Sequence, residues 1–128
     1  MSRLPSLANL VTPDVAERAL GAILVLNLFD ALATLFWVHG GFATEANPVM
    51  AQAMESGPAP FILAKVALVS LAAGLLWRLR EHRMARLALI PLGMLYAGVA
   101  GSHVGFGMLA GAVAALPPEV ASLIPAVA

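Results

Sequence analysis

Residues 18–41 read RALGAILVLNLFDALATLFWVHGG, an apolar stretch with Asp30 near its centre. The next apolar stretch, residues 60–78, reads PFILAKVALVSLAAGLLWR and carries Lys65. Each is long enough to cross a bilayer, which takes roughly 20 apolar residues. An ionised side chain facing hydrocarbon costs a few kcal/mol or more, so such groups turn toward protein and pair. These two charges therefore point to both a fold class and a candidate site. The class is an all-α integral membrane protein in a single domain.

Composition agrees. Of 128 residues, 61% are hydrophobic and only 11% charged, with a mean hydropathy of +0.91. A soluble domain carries about a quarter charged residues. The formal net charge is zero, which argues against a nucleic-acid partner. Cysteine is absent, so disulfides, thiol catalysis and thiolate metal sites are excluded. The first stretch reads as a span rather than a secretory leader, because its apolar run is long and interrupted by Asp30.

Working outward, residues 1–17 form an amphiphilic lead-in. Thr12 is placed to cap a helix with Pro13 at its first position and Asp14 in its first turn. That helix runs on into a first span, 18–40, ended by Gly40-Gly41. Residues 41–58 form a loop with a turn signal at Asn47-Pro48 and a short helical piece from Val49 to Glu55. The second span is 60–78 and residues 79–84 a basic loop. The third apolar segment, 85–116, contains Pro91 and several glycines, and 117–128 is a tail.

The third segment has two readings. As one Pro-kinked helix it would be about 48 Å long, exceeding the bilayer core. As two short passes it would turn inside GVAGSHVGFG (98–107), which leaves each half short. We favour three spans over four. Arg78, Arg80, Arg83 and Arg86 cluster around the second connection, while loop 41–58 has two acids and no base. The positive-inside rule then places residues 79–84 and the N-terminus in the cytoplasm of a multi-pass inner (plasma) membrane protein.

Counting a rise of 1.5 Å per residue from the arginines, Asp30 lies roughly 18 Å deep, Lys65 about 20 Å and Tyr96 about 15 Å. Asn27 comes at about 13 Å, and Thr34, Ser102 and His103 at roughly 25 Å. Three segments thus bring polar groups to one layer. Asn27, Asp30 and Thr34 share one helix face. Tyr96 and His103, seven apart, share another. Ala97, Gly101 and Gly105 form a small-residue ridge of the kind that lets membrane helices approach closely. The expected arrangement is an Asp30–Lys65 ion pair completed by Thr34 or Asn27, with the third helix close by.

Alternative readings of these residues are plainer. Asp30–Lys65 can act purely to fix helix register. His103 alone reads as a packed or hydrogen-bonded histidine, and His39 as wet. Trp37 and Trp77 read as interfacial anchors. His39, Glu45, His103 and Asp30 could supply metal ligands, but no HxxxH, HExxH or ExxH spacing occurs and Lys65 would oppose a cation. No metal or cofactor is expected. No nucleophile–base constellation is present, so the reading leans away from an enzyme.

The string Asn27-x-x-Asp30-x-x-x-Thr34, a glycine turn, Glu45-Ala46-Asn47-Pro48 and then a span with Lys65 resembles the DUF5658 family of small bacterial and archaeal membrane proteins. The resemblance covers roughly residues 20–105. It implies a small multi-pass membrane protein and supplies no catalytic residues. The Glu45–Pro48 element can fold over the outer mouth of the bundle, where Glu45 could reach Lys65 or Asn47 could cap the re-entering helix. Two functions follow. One is a structural or accessory component that self-associates or joins a larger membrane complex through the Ala97, Gly101 and Gly105 ridge. The other is an ion- or proton-linked transporter or channel subunit built on the polar cluster.

Overall fold

The structure, a computed structural model, describes residues 11–121 and 123. Most of the lead-in and the end of the tail lie outside the described residues. Among those described, every regular element is helical. The helices are α1 (Pro13–His39), α2 (Pro48–Glu55), α3 (Pro58–Arg78), α4 (Arg83–Ala114) and α5 (Pro118–Ala121). Of these, α1, α3 and α4 are long and apolar enough to cross a membrane. The protein is a three-span helical membrane protein.

Helix α1 starts where its local chemistry directs. Thr12 Oγ1 accepts from the Val15 amide at 3.3 Å, and Pro13 takes the first helical position, where no amide is needed. Its other end closes in a Schellman turn. The Phe42 amide donates to the Trp37 carbonyl at 2.9 Å and the Gly41 amide to Val38 at 3.0 Å. This turn needs a left-handed residue, and Gly41 supplies it at φ +75°. The Phe42 ring then folds against Trp37, with centroids 6.2 Å apart.

The third span is one continuous helix. Residues 98–107 remain helical and no chain reversal occurs, so the four-pass alternative is excluded. Pro91 lies inside it. A continuous helix satisfies the backbone polar groups from within, which a turn at membrane depth would not.

Helix α1 is the hub. It packs against both α3 and α4, α2 packs against α3, and α3 and α4 make little backbone contact with each other. The buried positions of α1 are Ala16, Leu20, Ile23, Asn27, Asp30 and Ala31. They recur at three- and four-residue spacing and so make one stripe. The stripe is apolar at both ends. At one end Ala16, Leu20 and Ile23 meet Ala73 of α3 and Leu89 of α4. At the other, Ala31 meets Met50 of α2 and the fully buried Phe61 of α3. The polar layer lies between these two apolar clusters.

Candidate functional site

Asp30 is the centre of the polar layer, 8% exposed. Its Oδ2 pairs with the Lys65 ammonium of α3. Its Oδ1 lies 2.7 Å from Nε2 of His103 on α4. Three helices thus meet at one carboxylate, with both oxygens engaged. One turn along α1, Asn27 is 1% exposed, and its Oδ1 accepts from the Tyr96 hydroxyl at 3.4 Å.

The expected arrangement needs correction here. His103 completes the pair on Asp30, while Asn27 is committed to Tyr96. Thr34 stands beside the cluster in a cavity wall. The reason is angular. On a helix of 3.6 residues per turn, Tyr96, His103 and Gly107 fall on one side. Leu89 and Leu92 continue that side into the apolar cluster.

The same geometry decides the ridge. Gly101 lies two residues, or about 200°, around the helix from His103. With His103 turned to Asp30, Ala97, Gly101 and Gly105 must point away from α1. All three are exposed, and a Cβ built on Gly101 or Gly105 meets nothing within 4 Å. The ridge therefore lies on the face of α4 turned away from α1. Close approach occurs at Gly107 instead, where an added Cβ would lie 3.5 Å from Cζ2 of Trp37.

Trp37 is likewise more than an interfacial anchor. It packs edge-on to Phe106 of α4 at 4.8 Å and to Phe36 at 4.9 Å. Its Nε1 is buried with no hydrogen-bond partner. Its position, seven residues after Asp30, is the sequence signal that it shares the Asp30 face. Trp77 is exposed, and the Arg80 guanidinium lies 4.4 Å over its ring. His39 is exposed, with Nδ1 3.1 Å from the Leu35 carbonyl.

A cavity of about 390 Å³ adjoins the cluster. Asp30, Thr34 and Trp37 of α1, Lys65 of α3, and Ser102 and His103 of α4 line it, as do residues 43–46. Glu45 lines the cavity but forms no ion pair with Lys65, contrary to one of the expected roles. Its Oε1 instead accepts from the Asn47 amide at 2.8 Å. Asn47 caps α2, with Oδ1 3.0 Å from the Val49 amide, and so caps the short helix rather than the second span. The Glu45–Pro48 element is thus a self-bonded corner that sets Glu45 at the cavity. Among the described residues no three of His, Asp and Glu gather as a metal-binding group.

The family model for a domain of unknown function, DUF5658, matches residues 21–110. The chain belongs to the DUF5658 family. The matched region holds Asn27, Asp30, Thr34, Glu45, Asn47, Lys65, Tyr96 and His103 and all three spans for most of their length. No curated protein and no solved structure matches the chain. Membership in DUF5658 brings no assigned activity, so a functional reading rests on the geometry itself.

Proposed function

We propose that the chain is a small accessory component of the plasma membrane that assembles with copies of itself or with a larger complex through the outward face of α4. The observation that carries this is the exposure of Ala97, Gly101 and Gly105, whose backbone lies open to a neighbouring helix. Helices in lipid associate through close backbone approach at such positions, because the hydrophobic effect no longer drives them together. A bundle of three spans is small for enclosing a transport path alone. In this reading Asp30, Lys65 and His103 fix the rotation of α3 and α4 about α1 and so present the ridge. On the same reading residues 79–84 and the N-terminus face the cytoplasm, the side that the positive-inside rule expects for the arginines.

The chain has no cysteine, so single cysteines can be introduced cleanly. Gly101→Cys in native membranes should form a disulfide-linked dimer on mild oxidation. Leu71→Cys, on an exposed face of α3, serves as the control. Equal cross-linking at both positions, or at neither, would count against the ridge.

A second reading makes the cluster part of an ion- or proton-linked path in such an assembly. The cavity beside Asp30, Lys65 and His103 favours it, since a purely structural ion pair needs no access. Asp30→Asn together with Lys65→Met should then leave assembly intact while abolishing ion- or proton-dependent flux in vesicles.

A further inference from the structure

We propose that the cavity at the polar layer binds a zwitterion carrying a primary ammonium and an anionic oxygen group, and that its source is the phosphoethanolamine headgroup of a lipid. Glu45 and Lys65 both line this cavity without pairing with each other. A negative and a positive group thus stand apart around a space of about 390 Å³. An anion alone would meet Lys65 but also Glu45 and Asp30. A cation alone would meet Glu45 but also Lys65. Opposed like charges are costly where water is scarce, so a ligand with both signs fits best.

The hydrogen-bonding capacity agrees. Lys65 has three N–H donors, and Asp30 is its one ion-pair partner among the described residues. Thr34 also lines the cavity, and its hydroxyl, with no side-chain hydrogen bond among the described residues, can donate to a phosphate oxygen. At the other end, Glu45 engages Oε1 with the Asn47 amide, leaving Oε2 to take an ammonium. The choice of a lipid follows from the walls. All three spans line the cavity, together with residues 43–46. Helices α3 and α4 both line it yet make little backbone contact with each other, which leaves room for a lipid to approach between them. This inference stands whether or not copies associate through α4.

The test is native mass spectrometry of the full chain released from micelles containing equal amounts of dioleoyl phosphatidylethanolamine, phosphatidylglycerol and phosphatidylcholine. Phosphatidylethanolamine should be retained about tenfold over either other lipid. Phosphatidylglycerol lacks the ammonium, and the quaternary headgroup of phosphatidylcholine cannot donate to Glu45. Glu45→Gln keeps an acceptor for Asn47 but removes the charge, and should erase the preference. Thr34→Val removes the donor and keeps the side chain's shape, and should weaken retention severalfold with unchanged circular dichroism. Preference for phosphatidylglycerol, or equal retention of all three lipids in wild type, would overturn the proposal, as would a preference that survives both substitutions. Soluble phosphoethanolamine is the final arm. Binding of it with no lipid retained would keep the zwitterion chemistry and overturn the lipid as its source.

Discussion

His103 and Asp30 lie 73 positions apart in the chain and meet at 2.7 Å, side chain to side chain. This contact joins α4 to α1 at the same carboxylate that holds α3. Its loss should therefore loosen one helix and leave the other docked. His103→Leu removes the partner of a buried carboxylate oxygen and should cost about 1–3 kcal/mol. His103→Gln retains a donor and should recover most of that. Unfolding of both variants in mixed micelles would measure the difference, and equal stability of the two would show that the contact contributes only packing.

The Lys65–Asp30 pair should behave differently. Asp30→Ala leaves the Lys65 ammonium without its ion-pair partner, and Lys65→Ala leaves the carboxylate with His103 alone. Each should destabilise by roughly 3–5 kcal/mol, as removal of one member of a buried pair does. Asp30→Asn with Lys65→Met leaves neither charge and should restore much of the loss. The same unfolding measurement applied as a double-mutant cycle gives the coupling, and strictly additive single effects would refute a direct pair.

Gly107 and Gly101 make a matched comparison on one helix. Gly107 faces Trp37, where a Cβ would make ordinary contact at 3.5 Å. Gly107→Ala should therefore be tolerated, whereas Gly107→Leu overpacks against the indole and should cost about 1–3 kcal/mol. Gly101→Leu meets nothing within the chain and should leave monomer stability unchanged. Tryptophan fluorescence should shift in Gly107→Leu and remain as wild type in Gly101→Leu.

Orientation can be read by labelling. Ser56 precedes α3 and His82 precedes α4, at opposite ends of α3, and both are exposed. With the arginines inside, Ser56→Cys should react with an impermeant thiol reagent added to intact cells, and His82→Cys only after permeabilisation. The reverse pattern would invert the topology.

Much of this protein was legible because membrane structure depends on local quantities. Span length, the Thr12 cap, the Gly41 turn and the matched heights of Asp30, Lys65 and His103 along their helices all follow from residue type and a fixed rise per residue. Asn27 and Asp30 on one α1 face, and Tyr96 with His103 on one α4 face, come from the same helical period. The sequence by itself therefore determined the class, the spans and which polar groups share a layer. It could not tell which face of α4 meets α1, because that helix is apolar all round and small residues lie on more than one side. Only the tertiary structure decided that His103, rather than the Ala97–Gly105 ridge, faces the hub. That one rotation also set Gly107 against Trp37. The loop was decided in the same way. Glu45 satisfies the Asn47 amide next to it, at little entropic cost, instead of crossing the cavity to Lys65. Rotation about a helix axis and the choice among competing partners are properties of the whole assembly, settled by which set of contacts can form together, and no local pattern contains them.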